Sequence, residues 1–74
     1  MTPKTKKKML SDLYVAYDDY IKDLYAPEET ISLDALGRYR KRVYDIGEKY
    51  NLTFEQLKTY AKIAMRQWHE FNTI

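Results

Sequence analysis

Tyr50-Asn51-Leu52-Thr53-Phe54-Glu55-Gln56-Leu57 (residues 50–57) reads as the end of one helix, a tight turn and the start of the next. Thr53 and Gln56 have the spacing of a capping box, in which each side chain satisfies a backbone donor of the other residue. Leu52 and Leu57 occupy the staple positions on either side of that cap. Asn51 suits the left-handed residue that closes a preceding helix. Downstream, Phe54, Leu57, Tyr60, Ala61, Ala64, Trp68 and Phe71 recur at the helical period and predict a helix over 54–72 with these residues toward the core. Upstream, Leu33, Leu36, Tyr39, Val43, Ile46, Gly47 and Tyr50 predict a helix over 33–50, capped by Ser32, with Asp34 in its first turn. Gly37 and Gly47 each cost about 1 kcal/mol inside a helix relative to alanine, which predicts the close approach of a neighbouring helix. Met9, Leu10, Leu13, Tyr17, Tyr20, Ile21 and Leu24 predict a first helix over 5–25. Ala26-Pro27 stops it, and Glu28–Ile31 follows as a loop. The expected fold is all-α, a single compact three-helix domain over residues 1–74. Residues 1–4 are expected as a flexible basic arm, because a lysine run opposes the dipole at a helix N-terminus.

The 74 residues include no cysteine, which excludes a disulfide framework and thiolate metal sites and suits a reducing, cytoplasmic setting. Two glycines and two prolines argue against a turn-dense β fold. No apolar run approaches the roughly 18 residues that span a bilayer, so no membrane association is expected. Met1–Lys8 is basic, yet the apolar stretch of a secretory signal does not follow it. The net charge of +2 hides a strong asymmetry. Residues 1–8 are basic, residues 9–36 carry seven acids against Lys22 alone, and residues 37–74 are basic again. A polyanion is therefore attracted to the C-terminal half and repelled by the first helix.

Lys58, Lys62 and Arg66 form an i, i+4, i+8 row on the third helix. Ile46, Tyr50, Leu52, Leu57 and Tyr60, with the small Gly47 between the helices, make Val43–Lys62 resemble the helix-turn-helix DNA-binding motif. The resemblance implies that Thr53, Glu55, Gln56, Lys58, Thr59 and Lys62 face the major groove. Gln56 and Thr59 would then reach base edges, while the lysines and Arg66 hold phosphates. Arg38 and Arg42 on the second helix are expected to assist. The alternative for the row is a solvated, solubilising face. Within the Arg38–Arg42 cluster, Asp34 with Arg38, Lys41 with Asp45 and Asp45 with Lys49 have the spacing of intrahelical ion pairs.

A second functional reading uses the first helix. Asp12, Asp19 and Asp23 align on one side of it, expected opposite its apolar face, with Tyr14 and Tyr25 at the border. Eight tyrosines are more than a small core encloses, and tyrosine suits interface hot spots. This surface fits a protein-binding inhibitor or adaptor of the phage or mobile-element type, docking on a basic surface of a nucleic-acid-handling protein. Self-association, as a homodimer, is compatible with both readings. No catalytic constellation is visible. His69 is the sole histidine, no second histidine completes a zinc-protease helix, and no glycine-rich phosphate loop occurs. The expectation is a non-enzymatic protein without a cofactor or metal.

Overall fold

A computed structural model describes residues 1–25 and 34–72, and among them all regular structure is helical. Helix α1 runs Pro3–Leu24, α2 runs Ala35–Lys49 and α3 runs Phe54–Asn72. The Ser32 cap, Leu33, the Ala26-Pro27 stop and the Glu28–Ile31 loop lie outside the described residues.

The junction of α2 and α3 forms as its residues dictate. Asn51 adopts φ 54°, the left-handed conformation. Its N–H donates to the Glu48 carbonyl at 3.2 Å, and the Leu52 N–H donates to the Gly47 carbonyl at 2.9 Å. That pair of bonds is the Schellman closure of a helix C-terminus. Two residues later the Thr53 N–H donates to Gln56 Oε1 at 3.0 Å, and the Gln56 N–H donates to Thr53 Oγ1 at 3.1 Å. The turn therefore leaves few backbone groups to water and sets the departure angle of α3.

Helix α1 starts earlier than its charge pattern suggested. The Thr5 N–H donates to Thr2 Oγ1 at 3.2 Å, and Pro3 occupies the first turn, where its missing N–H costs nothing. Cap and proline together draw Lys4, Lys6, Lys7 and Lys8 into the helix.

Helix α1 is the platform on which the other two pack. Met9 and Leu13 are fully buried and meet Leu57 and Ala64 of α3 in one cluster. Ala16 and Tyr17 meet Tyr39 of α2 in a second cluster. Ala16 was not among the expected core positions. It is buried because α1 carries a helix on each flank, which widens its buried face beyond one stripe. Helices α2 and α3 approach each other over a much shorter stretch. Three residues expected in the core are consequently exposed: Leu36 at 44%, Phe54 at 63% and Phe71 at 77%.

Aromatic rings join the three helices at one end. Tyr17 meets Trp68 edge-on at 5.6 Å and Tyr39 at 5.9 Å, while Tyr20 stacks on Tyr39 at 4.9 Å. Their polar atoms find partners as well. Tyr17 Oη lies 2.9 Å from His69 Nε2, and the Trp68 indole N–H donates to Asp18 Oδ1 at 2.9 Å. Burial pushes the Tyr39 phenol up to about 12 and raises that of Tyr17. The Trp68 hydrogen bond, assisted by Lys22, holds the Asp18 carboxyl below its usual range.

The two glycines differ, contrary to the shared expectation for them. A Cβ on Gly47 would stand 2.9 Å from Leu57 Cδ2, whereas one on Gly37 meets nothing within 4 Å. Gly47→Val should therefore lower stability by about 1–3 kcal/mol through overpacking. Gly37→Ala should raise it by about 0.5–1 kcal/mol through helix propensity. Chemical denaturation of both variants checks the pair, and equal shifts of one sign would contradict the placement of α3 against Gly47.

The depressed Asp18 carboxyl makes a signed prediction. Its stabilising contribution is complete above the unfolded-state value of about 3.9 and is lost as pH falls through the lower folded-state value. Thermal melts of the wild type should drop from about pH 4 downward more steeply than those of Asp18→Asn. Parallel acid limbs would show that the Trp68–Asp18 bond contributes nothing.

Candidate nucleic-acid interface

The charged residues of α1 and α2 are matched in antiparallel register. Asp23 meets Arg38 at 3.2 Å, Asp19 meets Arg42 at 2.5 Å and Asp12 meets Lys49 at 3.5 Å. Along α1 the acids are spaced by seven and then four residues, and along α2 their partners are spaced by four and then seven. The mirrored spacing is what an antiparallel helix pair requires. Tyr50 extends the ladder by donating its hydroxyl to Asp12 Oδ2 at 2.7 Å, a bond that raises the Tyr50 phenol above its ordinary value.

This ladder relocates several expected site residues. Asp12, Asp19 and Asp23 lie on the flank of α1 beside α2, not opposite its apolar face. Arg38 and Arg42, expected to hold phosphates, are directed to those acids. The pairing of the basic cluster thus crosses between helices. Tyr14 is partly buried: its hydroxyl accepts from Asn72 Nδ2 at 3.2 Å, and its ring meets Phe71 edge-on at 6.4 Å. Tyr25 is 77% exposed, as its border position implied. Of the five residues of the protein-docking reading, the three acids meet α2, Tyr14 meets α3 and Tyr25 is exposed.

Helix α3 presents the other set. Lys58, Thr59, Lys62 and Arg66 are all exposed. Among the described residues no carboxylate forms an ion pair with Lys58, Lys62 or Arg66. Lys58 Nζ instead lies 5.9 Å from the centre of the Phe54 ring. Thr53 and Gln56 form the capping box, which occupies the Gln56 side-chain oxygen. The N-terminal lysines of α1 also come close. Lys6 Nζ sits 5.5 Å from the centre of the Tyr60 ring, which lays the first turns of α1 along α3. Charge pattern alone could not have placed Lys6 beside α3, because its position depends on how α1 and α3 pack.

No group of three or more histidine, cysteine, aspartate or glutamate side chains suited to a metal occurs among the described residues. No helix among them is long and apolar enough to cross a membrane.

The ladder is solvent-exposed, with the Arg42 and Asp19 side chains 45% and 51% accessible. Exposed pairs contribute little, so a double-mutant cycle on Asp19 and Arg42 should give less than about 1 kcal/mol, decreasing with added salt. A coupling of several kcal/mol, insensitive to salt, would instead mark the ladder as the main determinant of stability.

The chain matches no family model, no curated protein and no solved structure.

Proposed function

We propose that this chain is a small, non-catalytic DNA-binding regulatory protein that presents α3 to a duplex. The observation that carries the reading is the division of charge. Helix α2 engages acids of α1, and among the described residues the row Lys58, Lys62 and Arg66 faces solvent without an ion pair across a helix interface. Phosphate contacts supply most non-specific affinity for DNA, and a basic row on a rigid helix is suited to them. At the junction Gly47 admits Leu57 at close range and Asn51 takes the left-handed turn position, an arrangement compatible with a helix-turn-helix unit and with an antiparallel helix hairpin alike. Thr59 is exposed between the lysines, and in this reading it is the residue that meets a base edge. Lys6, in the first turns of α1, lies over Tyr60 of α3 and adds positive charge near that helix.

Fluorescence anisotropy against mixed-sequence duplex DNA tests the reading. Binding should weaken steeply between low and moderate salt. Arg66→Ala should weaken it for all sequences alike and reduce the salt slope by about 1, while Lys62→Glu should weaken it by about tenfold or more. No binding at low salt, or full binding by Lys62→Glu, would overturn it.

A further inference from the structure

An apolar groove of about 290 Å³ lies between α2 and α3, whose contact is the least extensive of the three helix pairs. Val43, Ala61 and Met65 form its floor, and Tyr44 and Phe54 its walls. Those two wall residues are 55% and 63% exposed, and large exposed rings beside a concave apolar surface mark interaction sites rather than ordinary surface. Three cations, Arg40, Lys58 and Lys62, rim the groove, and among the described residues none of its lining side chains is acidic. The side of α3 that borders it, from Phe54 to Met65, spans roughly 16 Å at the rise of an α-helix. That length matches about three turns of a helix lying in the groove.

We propose that the α2–α3 groove docks an acidic amphipathic helix of a partner protein. Its apolar stripe rests on Val43, Tyr44 and Phe54, and its carboxylates meet Arg40, Lys58 and Lys62. Helix-in-groove recognition uses apolar anchors at i, i+3 or i+4 and i+7, and the cationic rim sets the sign of the flanking residues. A second copy of this chain is a poor occupant, because the acidic flank of α1 is already engaged by Arg38, Arg42 and Lys49 of the same molecule. The inference goes beyond DNA binding and does not depend on it.

The test uses the full chain and three fluorescent probes. One is a synthetic helix with leucines at i, i+4 and i+7 and glutamates on both flanks. The second carries lysines in place of the glutamates, and the third is a mixed-sequence duplex. The acidic helix should bind at least about tenfold more tightly than the lysine version, and the preference should shrink as salt rises. Tyr44→Ala combined with Phe54→Ala, both at exposed positions, should lose the acidic helix while circular dichroism reports an unchanged helical fold. Lys58→Glu should shift the preference toward the lysine version. Equal binding of the two helices, or unchanged binding by the double variant, would overturn the proposal, as would binding of the duplex alone. Arg66→Glu separates the two surfaces, because it should weaken duplex binding and spare the acidic helix. Peptide binding without duplex binding would remove the DNA reading and leave the groove.

Discussion

Leu57 sits so close over Gly47 that no side chain at position 47 fits without displacing it. This contact fixes how the C-terminus of α2 meets the N-terminus of α3, and the hydrogen bonds at 51–57 hold the backbone in the same geometry. With that corner set, both helices can lie on α1 only by diverging from each other. Met9 and Leu13 fill the space beneath the corner, and Tyr17 and Tyr39 fill the other end. The outward row on α3 and the open groove beside it both follow from this one close approach.

Electrostatics then decides what the surface can do. Exposed ion pairs add little to stability, so the ladder between α1 and α2 matters chiefly for register and for charge placement. A shift of one residue along α1 would move all three acids away from their partners. The ladder also pairs three of the seven acids of residues 9–36, Asp12, Asp19 and Asp23, with cations of α2. Arg38 and Arg42 belong to this pairing, while Arg40 and Lys41 of the same run stay exposed.

The fold was legible where local rules suffice. The 54–72 helix, its capping box and the left-handed Asn51 depend on residues a few positions apart, and all appear as the sequence implied. What depended on packing was less visible. Phe54 and Phe71 lie on the apolar side of α3, yet no helix covers them, because periodicity reports a face and not its neighbour. Gly37 and Gly47 are the same residue in the same helix, and only the position of Leu57 distinguishes them. The charge ladder was the largest signal left unread. The mirrored spacing of Asp12, Asp19 and Asp23 against Arg38, Arg42 and Lys49 is present in the sequence, but it becomes informative only once α1 and α2 are set antiparallel.

The proposed surfaces on α3 are not independent. Lys58 and Lys62 rim the groove and also belong to the row that would face a phosphate backbone. An acidic helix seated in the groove would neutralise those lysines, and so would reduce the charge available to DNA even where it left Arg66 uncovered. By linkage the reverse would hold, and duplex binding would weaken the docking of the helix by the same factor. Arg66 lies a turn beyond the shared lysines and Arg40 lies on the opposite wall, so each surface keeps one cation of its own. Two anionic partners competing for two shared lysines would let a partner protein regulate DNA binding without any change in the fold.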